Sequence, residues 1–221
     1  MDSVTLSPPV DPAQDTAKRR QIVDGARQVF LAQGFEGASM NDIARAAGVS
    51  KGTLYVYFEN KERLFAAIVE EERYAHVGTI FDFDHDDEDI EAVLTHVGTQ
   101  LAAFLTQPRV VSAMRVVMGI SERMPELGRR FYETGPCFAR GRLAGYLDRR
   151  VEAGQLTIPD TLLAAAQFLE VSHSPLVKPM FFGAADQPTP KRIAEVVTSA
   201  VRMFMAAYGN KRVRSFAPDM F

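Results

Sequence analysis

Cysteine is almost absent from this sequence, because Cys137 is the only one among 221 residues. A disulfide within the chain is therefore impossible, and a zinc site built from several cysteines would lack its ligands. A chain that uses a single cysteine suits a reducing compartment, which predicts a cytoplasmic location.

Long apolar runs and export signals are missing as well. No basic residue precedes Lys18, and the N-terminal residues contain no apolar run, so we expect no secretory signal. The main uncharged stretch, residues 92–108, contains Thr, His and Gln and is amphipathic. It predicts a buried helix and not a membrane span, so we expect no membrane partner.

Groups that support catalysis or metal binding are sparse. Cys137 has no apparent histidine partner, no Gly-x-Ser-x-Gly motif occurs, and the histidines at positions 76, 85, 96 and 173 lack ligand spacing. The acidic segment 82–91 begins like an EF-hand loop, but Asp87 replaces the central Gly and Val93 replaces the bidentate Glu. We expect a solvated linker there, and no catalytic residue, metal or cofactor; the chain is not predicted to be an enzyme.

Charge of neither sign dominates the whole chain. The 25 Lys and Arg against 28 Asp and Glu give a net charge of −3, which taken alone argues against a protein that coats nucleic acid. The average hides two opposite segments. Residues 16–63 hold eight basic and five acidic side chains, whereas residues 82–91 hold seven acidic and no Lys or Arg. A modestly basic N-terminal part is therefore attached to an acidic body.

What is present is an apolar period of 3.6 residues along nearly the whole chain, and no segment has a strand pattern. We predict an all-α protein with about nine helices. Capping residues, glycines and prolines place them at about 17–34, 39–47, 51–57, 60–80, 90–108, 110–123, 125–153, 160–182 and 189–208. Gly135 and Pro136 should kink the seventh helix, and Pro175 and Pro179 should bend or break the eighth.

Residues 39–61, SMNDIARAAGVSKGTLYVYFENK, predict a helix-turn-helix. Gly48 supplies the left-handed turn between the two helices. At 100° per residue, Leu54 and Phe58 share one side of the second helix. Gly52, Thr53 and Val56 lie roughly opposite, and Tyr55 and Tyr57 flank them. Small and hydroxyl-bearing groups thus face outward, with Lys51 and Lys61 placed to neutralise phosphates, as a recognition helix requires.

Residues 18–65 resemble the TetR family of one-component transcriptional regulators. The similarity includes Gly34-Phe35, Ser39, Asp42-Ile43-Ala44, Ala47-Gly48-Val49-Ser50, Gly52-Thr53-Leu54-Tyr55, Tyr57-Phe58 and Asn60-Lys61. Residues 115–156 are similar, less specifically, to the AefR-like branch. The resemblance implies a tail at 1–16, a DNA-binding domain at 17–63, and a helical ligand-sensing and dimerisation domain at 64–221.

The resemblance also implies the DNA contacts and the partners. Carried over by position, the contacts fall on Ser39, Met40, Asn41, Lys51, Gly52, Thr53, Tyr55, Tyr57 and Lys61. Met40 departs from the Thr common at its position, which removes a hydroxyl contact. The implied partners are a double-stranded, palindromic DNA operator and a small-molecule effector, and the implied activity is repression. Lys18, Arg19 and Arg20 suit equally an arm on the DNA backbone and a solvated run.

Aromatic and methionine side chains crowd the predicted helices from 90 to 182. An ordinary core explains any one of them, but together they suggest an apolar pocket for a small, apolar or aromatic molecule. The candidate lining is Phe104, Met114, Met118, Phe131, Tyr132, Phe168 and His173.

The last predicted helix carries an apolar face that looks wider than one intramolecular contact needs. It predicts a homodimer formed through the eighth and ninth helices. Two other interpretations stay open, namely a helical protein-interaction module and an all-α enzyme that retains a helix-turn-helix. Failure to bind DNA would favour the module, and an assembled set of acid, base or metal residues would favour the enzyme.

Overall fold

The computed structural model describes residues 12–84 and 86–210. Apart from one isolated bridge between Leu156 and Gly209, every regular element within those ranges is helical, which confirms the all-α prediction. The helices are α1 Pro12–Gly37, α2 Met40–Ala46, α3 Lys51–Tyr57, α4 Lys61–Ile80, α5 Ile90–Leu105, α6 Pro108–Ile120, α7 Pro125–Tyr132, α8 Phe138–Glu152, α9 Thr161–Phe181 and α10 Pro190–Tyr208.

A π-helical turn, Glu133–Cys137, joins α7 to α8 without a break, so the described residues form nine continuous helical segments, as predicted. The disturbance expected at Gly135 and Pro136 takes the form of this wider turn. Pro136 lies inside this turn and has no N–H to donate, so the α-helical hydrogen bond at its position is missing. The π-turn, with its wider hydrogen-bond spacing, lies at that interruption.

Of the bend or break expected in the 160–182 helix, the break does not occur. Helix α9 runs through both Pro175 and Pro179. Each proline removes one helical hydrogen bond, but α9 packs against α5, α8 and α10, and eight of its residues are buried. That burial holds the helix together across both prolines.

The N-terminal boundary also differs from the prediction. Helix α1 begins at Pro12, so residues 12–16 are helical and not part of a tail, and residues 1–11 lie outside the described residues. The predicted end at Gly34 is confirmed as a break in helical conformation, because Gly34 has φ 71° and ψ 173°. Side-chain caps from Ser39, Ser50 and Thr189 start three of the helices as expected.

The chain divides into two compact units, unit 1 (Met1–Glu72) and unit 2 (Arg73–Phe221). This boundary lies inside α4, later than the residue 63 implied by the resemblance. The reason is that Leu64, Ala67 and Ile68 on the first turns of α4 belong to the buried core of unit 1.

The core of unit 2 is built from α5, α8, α9 and α10. Phe168 on α9 and Phe204 on α10 meet edge to face, with ring centroids 5.7 Å apart. A Cβ on Gly98 of α5 would lie 2.9 Å from Val197 of α10, so these helices approach closely. In the part of the chain that is described, no helix is both long and apolar enough to cross a bilayer.

Candidate nucleic-acid interface

Helices α2 and α3 are joined by a tight turn whose geometry follows from a few residues. Ser39 caps α2 by accepting a hydrogen bond from the Asp42 amide, and Ser50 caps α3 by accepting one from the Thr53 amide. Gly48 between them has φ 62°, in the left-handed region that favours glycine. Both halves of the predicted helix-turn-helix are therefore present.

Helix α1 supports this turn from behind. A Cβ on Gly25 would lie 2.6 Å from the Cα of Ala47, so α1 and α2 touch backbone to backbone. One turn earlier, the Gln21 side chain donates to the Ala47 carbonyl at 2.6 Å. Sequence reasoning missed both residues, although a glycine in the middle of the predicted α1 was a signal of close helix packing.

The two sides of α3 differ as predicted. Leu54 and Phe58 are buried in the core of unit 1, and the opposite side is exposed. Val56 is 82% exposed and Tyr55 is 46% exposed. The helical period predicts that Val56 faces outward, but Val56 is not among the predicted DNA contacts. The signal for it in the sequence is an apolar side chain on the outer face of α3.

Several predicted contact residues are engaged within the chain. The Ser39 hydroxyl donates to the Asp42 carboxylate at 2.5 Å, and the hydroxyls of Ser50 and Thr53 lie 2.7 Å apart. Met40 is half-buried and packs against the core of unit 1, as does Tyr57. Ser39, Met40 and Thr53 therefore stabilise the ends of α2 and α3.

The exposed candidates are fewer. Asn41, Lys51, Gly52 and Tyr55 all lie on the surface. The Lys51 ammonium nitrogen lies 6.0 Å from the centre of the Tyr55 ring, within the range of a cation–π contact. These four residues present polar and aromatic groups beside Val56.

The structure places Lys61 differently from the phosphate contact that was predicted. Its Nζ donates to the carbonyls of Phe35, Glu36 and Ala38 at 3.0, 3.3 and 3.5 Å. It also lies 4.6 Å from the centre of the Phe35 ring. Three carbonyl partners match the three hydrogens of an ammonium group, so Lys61 ties the start of α4 to the end of α1 and to the residue that follows it.

The basic start of α1 is partly occupied as well. Lys18 donates to the Gln21 side chain at 2.8 Å. Arg19 forms an ion pair with Glu71 at 3.1 Å and lies over the Phe58 ring at 5.3 Å. Lys18 and Arg19 therefore have partners on α1 and α4, whereas Arg20 is exposed beside a shallow depression between α1 and α2.

The predicted effector residues fall into two groups. Phe168 is buried in the core of unit 2 and Phe104 packs against that core. Met118 and Tyr132 are about half exposed, and Met114, Phe131 and His173 are intermediate. Helix α6 packs against both α7 and α9, which brings together the helices that carry the second group. His173 is held by its Nδ1, 2.7 Å from the Leu169 carbonyl.

The wide apolar face of α10 does not by itself indicate a dimer, contrary to the prediction. Five apolar side chains of that face are buried in unit 2 itself, because α10 packs against both α5 and α9 and so buries a broad stripe. The side chains that stay exposed are others. On α9 and α10 these are Leu162, Leu163, Val171 and Met203.

The acidic segment is exposed to solvent, as expected, and it is in addition tied to α8. The Tyr146 hydroxyl of α8 donates to the Asp87 carbonyl at 2.9 Å, and Arg149 pairs with Asp86 at 2.6 Å. Burial raises the pKa of Tyr146 to about 12. In the described ranges, no three His, Cys, Asp or Glu side chains are arranged to hold a metal ion.

Two family models match the chain. One, described as "Bacterial regulatory proteins, tetR family", matches residues 22–68. The other, described as "AefR-like transcriptional repressor, C-terminal domain", matches residues 92–210, more than half of the chain.

Curated relatives match over short stretches of the chain. The HTH-type transcriptional repressor Rv1474c of Mycobacterium tuberculosis is 40% identical over 65 residues, which are 28% of this chain and 35% of that protein. The chain thus spans about a third of the length of the curated relatives that it matches.

Solved structures match along most of the chain. A TetR-family regulator from Mesorhizobium loti has a TM-score of 0.79 at 25% identity, covering 89% of this chain and 99% of that one. A protein described as the flavonoid-responsive regulator FrrA has a TM-score of 0.68 at 32% identity, with the same coverage.

Proposed function

This chain belongs to the TetR family of bacterial regulatory proteins, and on that basis we propose that it is a ligand-responsive transcriptional repressor. It binds a palindromic DNA operator as a homodimer and is released by a small molecule. Since its partner is DNA, we place it in the cytoplasm.

The exposed side of α3 is the observation that carries the proposal. Leu54 and Phe58 hold α3 to the unit 1 core, so the opposite side, with Gly52 and Val56, is free to enter a major groove. Lys51 adds a positive charge at the start of the same helix.

We divide the nine proposed DNA residues into two roles. Five reach DNA directly, namely the exposed residues Asn41, Lys51, Gly52 and Tyr55, together with Tyr57, whose ring packs against the unit 1 core while its hydroxyl reaches a phosphate. The other four position the helices, with Ser39 and Thr53 acting at the caps, Met40 in the core, and Lys61 on the carbonyls of residues 35, 36 and 38. Contacts from the Lys51 ammonium group and from the tyrosine hydroxyls to phosphates fix the position of the protein along the DNA. The backbone at Gly52 can then approach the base edges in the groove.

We propose that α9 and α10 form the dimer interface. Exposed apolar side chains on both helices support this, because Leu163 and Met203 are each more than half exposed. An open depression between α9 and α10 also has an apolar lining that includes Val171, Val196 and Met203. A two-fold axis there would set two copies of α3 about 34–36 Å apart, one turn of B-DNA.

The effector is proposed to be an apolar or aromatic molecule bound in unit 2, near α6, α7 and α9. FrrA, similar along most of this chain, is described as flavonoid-responsive, which supports an aromatic effector. When Nδ1 of neutral His173 donates to the Leu169 carbonyl, Nε2 is an acceptor for an effector hydroxyl.

Release is proposed to be a shift between two populations of the dimer. Helix α4 belongs to both units, since the boundary at Glu72 lies within it. In one of these populations the distance between the two α3 helices of the dimer does not match one turn of B-DNA. An effector that binds this population more tightly weakens DNA binding, and DNA must weaken effector binding by the same factor.

The test is a selection from randomised duplex DNA with the full chain, followed by titration of the enriched duplex. We expect a pseudo-palindrome with half-sites about one helical turn apart. A panel of flavonoids is then added as the probe for release. An enriched DNA whose affinity no flavonoid changes would contradict an aromatic effector, and failure to enrich any DNA would contradict the function.

A further inference from the structure

Val56 is exposed without any contribution to the fold that explains it. At 82%, it is the most exposed large apolar side chain among the described residues of unit 1. Valine is also a weaker helix former than alanine, because the preceding turn of a helix restricts the rotation of its branched side chain about χ1. Nothing in unit 1 therefore benefits from a valine at this position.

Gly52 lies one turn before Val56 on the same side of α3, and it too has no internal reason to be there. A Cβ at Gly52 would meet only the Ser50 hydroxyl, at an ordinary 3.8 Å. Gly52 is not among the glycines with positive φ. Alanine would therefore fit and would favour the helix. Positions 52 and 56, one turn apart on the same face of α3, thus both carry residues that lower the stability of the helix. Because Gly52 has no side chain, the side of Val56 that faces it is open.

From this pair we infer that Val56 reads the C5 methyl group of a thymine in the major groove, with Gly52 allowing the backbone to come close enough. The inference rests on the proposed function and goes beyond it by naming the base that α3 reads and the side chain that reads it.

The apolar side chain of Val56 can make only one kind of contact with a base in the major groove. Valine has no hydrogen-bond donor or acceptor, so it cannot bond a phosphate or the polar edge of a base. The thymine methyl is the apolar group that the major groove presents. Burying a methyl against Val56 would separate thymine from cytosine at one position of each half-site.

The test replaces each thymine of the selected operator with deoxyuridine, which removes only the methyl group. For the wild-type chain we expect one position in each half-site to weaken binding by about threefold to tenfold. For Val56→Ala the same replacement should change affinity less than twofold. The variant should fold, because Val56 touches no core and alanine favours helix.

Leu31→Ala is the matched control, since Leu31 is 70% exposed on α1 and its truncation removes an apolar group from another helix. It should keep the full deoxyuridine effect. Equal deoxyuridine effects in wild type and Val56→Ala, or no sensitive thymine at all, would overturn the inference while leaving DNA binding intact. Failure of the wild-type chain to enrich any DNA would instead overturn both the inference and the proposed function.

Discussion

Gly25 of α1 and Ala47 of α2 approach so closely that a Cβ on Gly25 would lie 2.6 Å from the Ala47 Cα. Backbone atoms cannot yield as a flexible side chain can, so Gly25→Ala should force α1 and α2 apart. We expect a loss of about 1–3 kcal/mol in the free energy of unfolding of unit 1. Hydrogen exchange of α1–α3 peptides measures this locally.

Gly37→Ala is the matched control for that variant. A Cβ on Gly37 would meet only the Gln33 side chain, at 3.7 Å. Exchange should stay unchanged or slow down in this variant. If Gly25→Ala exchanges no faster than Gly37→Ala, the close packing of α1 on α2 is not what holds the turn.

Lys61→Met should weaken operator binding by loosening the segment at residues 35–38, and not by removing a phosphate contact. The slope of log affinity against log salt separates the two causes, because each lost phosphate contact lowers its magnitude by about 0.9. We expect Lys61→Met to keep the wild-type slope and Lys51→Met to lose about 0.9 per protomer. If the salt slope of Lys61→Met decreases as much as that of Lys51→Met, Lys61 contacts a phosphate after all.

Gly52→Ala should separate stability from function. A Cβ at Gly52 has room, so the melting temperature should stay constant or rise. Operator affinity should fall at least tenfold, on the order of 1.4 kcal/mol, because the added methyl keeps α3 from the groove. The measurement is fluorescence anisotropy beside thermal unfolding. Gly141→Ala, at an open position on α8, should gain stability and keep its affinity; a parallel result for Gly52→Ala would refute close approach.

Met203→Glu should convert the dimer to a monomer at micromolar concentration, because it places a charge in the proposed α9–α10 interface. Sedimentation velocity measures the mass directly. Met118→Glu on α6 is the control, since the two methionines are 58% and 52% exposed. It should remain dimeric. A Met203→Glu chain that still sediments as a dimer would locate the interface elsewhere.

Tyr146→Phe removes the hydroxyl that binds the acidic segment at Asp87, and the effect on stability should depend on pH. Below pH 10, loss of the hydrogen bond to Asp87 should destabilise unit 2 by about 1 kcal/mol. The unfolded phenol ionises near pH 10, whereas the folded one keeps its proton to about pH 12. The wild-type advantage is therefore present below pH 10 and is lost as the pH rises to 12. Urea unfolding at pH 8 and pH 11 checks this, and a constant difference would contradict it.

Local signals were sufficient for most of the fold. Ser39, Ser50 and Thr189 start helices where the sequence predicts, because a cap is decided by residues within one turn. The buried and exposed sides of α3 were also predictable, since the period of a helix alone puts Leu54 inside and Val56 outside.

Other features depend on parts of the chain that are distant in sequence. Lys61 bonds carbonyls 23 to 26 residues away, and a periodic pattern carries no information about that distance. The α10 face was misassigned for a related reason, because a helix that packs against two neighbours buries a wide stripe without any partner chain. Helix α9 passes through Pro175 and Pro179 because its tertiary burial outweighs a local preference.

The most direct test of DNA recognition through α3 is the affinity of the full chain for its selected operator, measured against a scrambled duplex at 0.15 M salt. Recognition through α3 predicts a Kd of about 10 nM or tighter, at least about a thousandfold preference over the scrambled duplex, and a loss of most of that preference in Gly52→Ala. Equal affinity for the two duplexes, or an unchanged preference in Gly52→Ala, would contradict it.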